Sequence, residues 1–279
     1  MTARSPLLLF ARQELTLAVR SRWTQIFAVV FVALSLAVAA SGYVLSGGSG
    51  VQDFARTAAS LVQLVLLLVP MTALLIGVLS LSLDRGTAEV VFSQPVRRST
   101  ILYGKLLGLF EALAGAQALG FGASGVVIFS QNGGEGIAQF AVLVGGSLVL
   151  TAIFLGIAAL IIGGSVGRRR SRSLALALVV WFAAVVLFDV GILGVASLLR
   201  SGTASRVLII GALVNPVDAV RTATLLGVEG AAAFGAASLA FLRFTHGATG
   251  AALLLGLSAA VWVALPPWLA ARRLERSDI

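Results

Sequence analysis

Apolar positions along this chain form six long runs, not the alternation of β-strands or the narrow stripes of soluble surface helices. They extend from Trp23 to Leu45, Ala58 to Leu83, Leu106 to Phe129, Phe140 to Val166, Leu174 to Leu199 and Ala248 to Ala270. A helix rising about 1.5 Å per residue needs roughly 20 residues to cross the hydrocarbon layer of a membrane, and each run is long enough. The pattern predicts an all-α membrane protein with six transmembrane helices in one domain spanning residues 1–279. Barrel strands would alternate, and these runs do not.

Two stretches depart from the pattern of plain spans. Before the first run, Ser5 and Pro6 make a helix start, with Ser at the cap and Pro at the first helical position. In that helix Arg12, Gln13, Thr16 and Arg20 share one face and Leu7, Leu8, Ala11, Leu15 and Ala18 the other, which predicts an amphipathic helix lying along the membrane surface. Between the fifth and sixth runs, Val207 to Val214 and Ala231 to Phe244 are apolar but too short to cross, and they predict re-entrant or interfacial helices.

Composition supports the membrane reading. The 279 residues are 59% hydrophobic and 11% charged, with a mean hydropathy of +1.04, far from the mixture of a soluble domain. The first run is too long for the core of a cleaved secretion signal and lacks a small-residue exit, so it is expected to remain as an anchor. Cysteine is absent, and with His246, Met1 and Met71 as the few soft ligands, no metal site is expected. The 31 glycines suit close helix packing in lipid, and Gly145, Gly146, Gly163, Gly164 and Gly167 are placed to serve it or to end the fourth span.

A formal charge of +9 does not point to nucleic acid, because the basic residues flank the apolar runs instead of forming a face. Arg4, Arg12, Arg20 and Arg22 precede the first span; Arg85, Arg97, Arg98 and Lys105 lie between the second and third. Arg168, Arg169, Arg170 and Arg172 link the fourth and fifth, and Arg272, Arg273 and Arg276 follow the sixth. Only Arg56, Arg200, Arg206, Arg221 and Arg243 fall on the other side, so both termini are expected in the cytoplasm.

Two acidic residues lie inside spans, where a charge costs about 2.5–3.5 kcal/mol on insertion scales unless it is neutralised. Glu111 is close enough to Lys105 to reach back toward the inner surface. Asp189 belongs in the outer half of the fifth span, either lining a path or a dimer interface, or paired with Arg200, Arg206 or Arg221.

The stretch Asp84 to Lys105 is the most informative. Gly86 and Pro95 bracket a helix of about two turns, and Ser99 or Thr100 can cap the helix that re-enters the membrane. A short rigid helix at a charged bend suits the transmission of force from a soluble partner. Its residues Gly86, Thr87 and Glu89, then Ser93, Gln94, Pro95, Val96 and Arg98, then Ile101, Leu102, Gly104 and Lys105, resemble the loop between the second and third spans of type-2 ABC transporter permeases. An N-terminal interfacial helix, six spans, a cytoplasmic coupling helix and helical insertions before the last span recur in that family. The resemblance covers nearly the whole chain, with Asp84-Arg85 where the family usually has an acidic residue alone.

The resemblance implies a homodimer in the bacterial inner membrane. Each copy would bind a separate cytoplasmic ATPase through Asp84, Gly86, Thr87, Glu89, Gln94, Pro95 and Arg98. No phosphate-binding Gly-x-x-x-x-Gly-Lys-Ser/Thr loop is present, so the chain is expected to be a permease and not an enzyme, binding no cofactor, with ATP and Mg²⁺ held by the partner. Membrane lipid surrounds it.

A second motif runs from Asn215 to Arg221. Asn215 can cap a helix, with Pro216 in its first position, Asp218 returning a bond to the cap and Arg221 pairing with Asp218. Asn-Pro-x-Asp-x-x-Arg also resembles permeases that serve maturation of nitrous-oxide reductase, which implies a periplasmic β-helical partner and a part in copper-sulfur centre assembly. The alternatives are an ABC-2 exporter of lipid-like or drug-like cargo and a proton-coupled secondary transporter using Asp189. The absence of a convincing internal repeat gives the secondary transporter no support.

Overall fold

The computed structural model describes residues 5–46, 51–82, 95–132, 136–163, 170–230, 241–242, 244–245 and 247–276. Its regular elements are helical: α1 (Pro6–Arg20), α2 (Arg22–Ser46), α3 (Val51–Leu81), α4 (Arg98–Asn132) and α5 (Ile137–Ile162) come first. They are followed by α6 (Arg170–Phe182), a π-helical turn (Ala183–Leu187), α7 (Phe188–Ser197), α8 (Ser201–Val214), α9 (Pro216–Glu229) and α10 (Ala248–Glu275). Among the described residues six stretches are long and apolar enough to cross a membrane: Arg22–Ser41, Arg56–Leu81, Arg98–Ser130, Ile137–Ile162, Arg170–Ser197 and Ala248–Glu275.

These match the six apolar runs in number and order, but several helices outrun the apolar stretch. α4 begins at Arg98, not Leu106, because its first two turns pack on α1 and need no lipid to stay helical. α10 continues past Ala270 to Glu275, with Arg272 and Arg273 in a last turn where cations favour the helix dipole. The fifth span is continuous only through the π turn at 183–187, which the apolar pattern does not signal.

Ser5 stands at the start of α1 with Pro6 in the first turn, as expected, although the Ser5 side chain makes no capping bond. Ala11, Glu14 and Ala18 form the buried stripe of this helix. Leu8, on the apolar face expected against the membrane, is 53% exposed outside the bundle. α1 ends at Ser21, whose extended backbone turns the chain into the first span.

The interior lies among α2, α3, α4 and α5, with Phe31, Leu61, Leu74, Leu109, Leu113, Leu150 and Phe154 fully buried. Lipid offers no hydrophobic drive for helices to associate, so shape and internal hydrogen bonds matter more. Gln117 of α4 donates to Thr151 of α5 at 2.7 Å and accepts from Ser147 at 2.6 Å, a fully buried bridge. A ladder of aromatic rings, Phe27, Phe31, Phe121, Phe140 and Phe129, steps across α2, α4 and α5 with centroids 5.2–5.9 Å apart. Gly156 lets Pro267 of α10 approach, since a Cβ there would sit 2.8 Å from the Pro267 ring. Gly146 admits Thr224 of α9 and Gly163 admits Ala270, while Gly145 has nothing within 4 Å; Gly164 and Gly167 lie outside the described residues.

α6, α7 and α10 leave apolar side chains outward, among them Val190 at 65%, Leu253 at 74% and Leu257 at 63% exposure. Such a face belongs against lipid or another protein chain.

The region between the fifth and sixth spans differs from its expectation in detail. The predicted piece 207–214 is the second half of α8, and α8 meets α9 in a bend of 102°. Ala231 to Phe244 falls almost wholly outside the described residues.

Candidate functional site

Two polar clusters, at opposite ends of the bundle, are built from residues far apart in the chain. The first lies at the arginine-rich end. α1 crosses the start of α4 where Gly104 and Gly108 leave no side chain, so the two backbones touch. A Cβ on Gly104 would sit 2.7 Å from Phe10 Cβ and 2.8 Å from the Leu7 carbonyl; one on Gly108 would meet the Ala11 carbonyl and sit 2.8 Å from the Leu15 nitrogen.

This close crossing brings Glu14 into the bundle, where it is 3% exposed. Its carboxylate forms a salt bridge with Lys105 of α4 at 3.2 Å and accepts a hydrogen bond from Ser80 near the end of α3. Ser80 and Lys105 stand on either side of the loop that joins α3 to α4. One carboxylate on the interfacial helix therefore holds both arms of that loop.

Nearby contacts fasten the same end. Arg98, in the first turn of α4, donates to the Leu274 carbonyl at 3.2 Å and so ties α4 to the end of α10. Arg170 donates to the Leu79 carbonyl at 3.1 Å and joins α6 to α3. Of the residues expected to meet an ATPase, Pro95 is exposed and Arg98 is partly buried against α10; Asp84, Gly86, Thr87, Glu89 and Gln94 lie outside the described residues. The predicted coupling helix falls there too.

The second cluster is centred on Asn215. Asp189, nineteen positions along the fifth span from Arg170, stands about 28 Å away along the helix axis at 1.5 Å per residue. The π turn widens the helix there, and the Asn215 side-chain amide donates to the Ala184 carbonyl within it at 2.8 Å. The same side chain caps α9, its oxygen accepting from the Val217 nitrogen at 3.1 Å, and it donates to Asp218 at 3.0 Å.

Asn215 and Pro216 thus occupy the cap and first position expected of them. Arg221 does not pair with Asp218 as expected. Its guanidinium lies 3.1 Å from Asp189, which is one of the three partners open to that aspartate. The reason is geometric: the bend at Asn215 swings α9 across the fifth span, so the cation meets a carboxylate of another helix. Asp218, held by Asn215, lies close enough to interact with Asp189, so two acidic side chains gather near one cation.

The bend is braced from α10. Ser258 donates to the Leu213 carbonyl at 2.6 Å and Trp262 to the Val214 carbonyl at 3.1 Å, satisfying groups at the end of α8 that have no helical partner. Within the motif expected to contact a periplasmic partner, Asn215 is 3% exposed and Pro216 is buried, whereas Asp218 is half-buried and the Arg221 side chain is 36% exposed.

Glu111 is exposed on α4 and makes no bond among the described residues. The Lys105 amine, six positions before it, is held by Glu14. No group of three or more metal-ligating side chains occurs among the described residues, and His246 lies outside them.

Two cavities accompany the clusters. One of about 800 Å³ is almost wholly apolar and lies between α4, α5 and α10, bordered by Tyr103, Phe110, Gly156 and Trp268; Arg272 stacks 3.7 Å over the Trp268 ring. The other, of about 370 Å³, is more polar and opens beside Glu14 and Lys105.

Glu14, Ser80, Gln117, Ser258 and Trp262 were not singled out from sequence. Glu14 alone had a readable signal, because its spacing from Ala11 and Ala18 puts it on the inward stripe of α1.

Residues 8–279 match the model of the family described as ABC-2 family transporter protein. A probable ABC transporter permease protein NosY from Pseudomonas aeruginosa is 31% identical over 267 residues, covering 94% of this chain and 92% of that protein. A protein of the same name from Stutzerimonas stutzeri is 32% identical over 236 residues, covering 82% of this chain and 85% of the relative.

Proposed function

Because the chain belongs to the ABC-2 transporter family and is a permease subunit of an ABC transporter, we propose that Glu14 transmits the work of a separate cytoplasmic ATPase into its bundle. Family membership brings with it an ATPase partner and dimeric assembly. The observation that carries the reading is the grip of Glu14 on Ser80 and Lys105. A push on the loop between them displaces the end of α3, the start of α4 and the interfacial helix together. Two flexible arms without that clamp would absorb the push locally.

In this reading the arginine-rich end faces the cytoplasm of a bacterial inner membrane, with both termini inside. Asp84, Gly86, Thr87, Glu89, Gln94 and Pro95 meet the ATPase, and Arg98 anchors the second arm. ATP and Mg²⁺ are held by the partner. The Asn215 cluster fixes the outer half of the bundle and passes movement to the segments that follow. A periplasmic partner would engage the partly exposed Arg221 and the surface around it, since Asn215 and Pro216 are buried.

The relatives named NosY favour a part in maturation of nitrous-oxide reductase over general export of lipid-like or drug-like cargo. Asp189 is held by Arg221, which weighs against its use as the coupling site of a proton-driven transporter.

The test is to co-express the chain with the ATPase of its own complex and replace Glu89 by Ala. ATP hydrolysis should continue while maturation of nitrous-oxide reductase in the host falls. Full copper loading of the reductase in a host expressing only the Glu89→Ala permease would refute the assignment of that loop.

A further inference from the structure

We propose that the polar wedge between the interfacial helix and the bundle binds the phosphate headgroup of a membrane phospholipid. The cavity of about 370 Å³ lies within the usual size range of small-ligand sites. Lys105 and Arg170 line it against the single carboxylate of Glu14, which leaves a net positive charge.

Thr24 supplies the independent sign of a ligand. It lines the same cavity, is 4% exposed, and its hydroxyl is buried without a hydrogen-bond partner among the described residues. An unpaired buried hydroxyl costs roughly 1–3 kcal/mol, so the fold gains when an acceptor enters. Lys105 and Arg170, which can only donate, line the same cavity, so the ligand that satisfies all three groups is an acceptor to which the Thr24 hydroxyl also donates. Arg170 commits one guanidinium nitrogen to the Leu79 carbonyl and has further N–H donors for an oxyanion.

The rim selects a lipid over a soluble anion. Leu17 and Trp23 border the cavity at 58% and 60% exposure, one on α1 and one at the start of the first span. An exposed Trp preceded by Arg20 and Arg22 marks the headgroup level, where acyl chains can lie along the apolar rim. The cations of the wedge favour an anionic headgroup. The inference concerns the wedge alone and stands whether or not Glu14 transmits force.

Native mass spectrometry of the intact chain in detergent is the test, with phosphatidylglycerol and phosphatidylcholine of identical acyl chains as probes and inorganic phosphate as a third. The wild-type chain should retain phosphatidylglycerol about tenfold more strongly than phosphatidylcholine. Arg170→Met should remove most of that preference, Thr24→Val should weaken retention of both lipids, whose phosphates are alike, and Thr24→Ser, which keeps the hydroxyl, should retain them as the wild type does. Equal retention of the two lipids by the wild-type chain, or wild-type retention in both Thr24→Val and Arg170→Met, would overturn the proposal. Inorganic phosphate displacing the lipid at equal concentration would overturn the lipid as the source of the phosphate.

Discussion

Lys105 of α4 lies 3.2 Å from Glu14 of α1, and Glu14 in turn accepts a bond from Ser80 of α3. Removing one member of such a pair leaves the other uncompensated, at a cost of about 3–5 kcal/mol in a buried setting. Glu14→Ala should therefore lower the thermal midpoint of the detergent-solubilised chain markedly. The double variant Glu14→Met with Lys105→Met should recover much of the loss, because no charge is left stranded. Equal midpoints for Glu14→Ala and the double variant would show that the pair does not brace this end.

Gly108 tests the close crossing of α1 and α4. A methyl group there meets the Ala11 carbonyl and sits 2.9 Å from Glu14 Cβ, whereas Gly115 on the same helix has nothing within 4 Å. Gly108→Ala should destabilise by about 1–3 kcal/mol through overpacking, and Gly115→Ala should leave the chain's stability nearly unchanged. Thermal unfolding of the two variants side by side reads the difference.

At the other end, Arg221 stands against Asp189 with Asp218 close by. Arg221→Met strands two neighbouring acidic side chains in a low-dielectric setting and should reduce the yield of inserted, folded protein sharply. Asp218→Asn keeps an acceptor for Asn215 and removes one negative charge, so it should be the milder change. Fluorescence-detected size-exclusion chromatography ranks them, and an Asp218→Asn variant worse than Arg221→Met would reverse the electrostatic account.

The chain has no cysteine, so topology can be mapped without background labelling. A cysteine at Ser99 should react with an impermeant maleimide only after the membrane is opened. One at Asn132 should react from outside. Labelling of Ser99 in intact cells would invert the orientation.

Span number and order were legible because a run of about 20 apolar residues has few fates other than crossing lipid. Helix ends were less so: the segment from Arg98 to Lys105 is polar enough to read as loop, yet it is helical because α1 packs along it. The Asn215 cap could be read locally, since Asn-Pro with an acid two residues further on is a start signal. The partner of Arg221 could not, because it depends on a bend of 102° between α8 and α9. Glu14 was hidden by its neighbours. Arg12, Gln13 and Thr16 make that stretch look solvated, and only the register of Ala11, Glu14 and Ala18 reveals an acid turned inward.

The claim that Glu14 transmits ATPase movement is tested most directly by spin-label distances across the assembled dimer. A single cysteine at Ser60, exposed on α3, would carry the label in each copy. In the wild-type complex the inter-label distance should shift between nucleotide-free and vanadate-trapped states; in Glu14→Gln the shift should be lost while ATP hydrolysis persists. An unchanged shift in a folded Glu14→Gln complex would contradict the account.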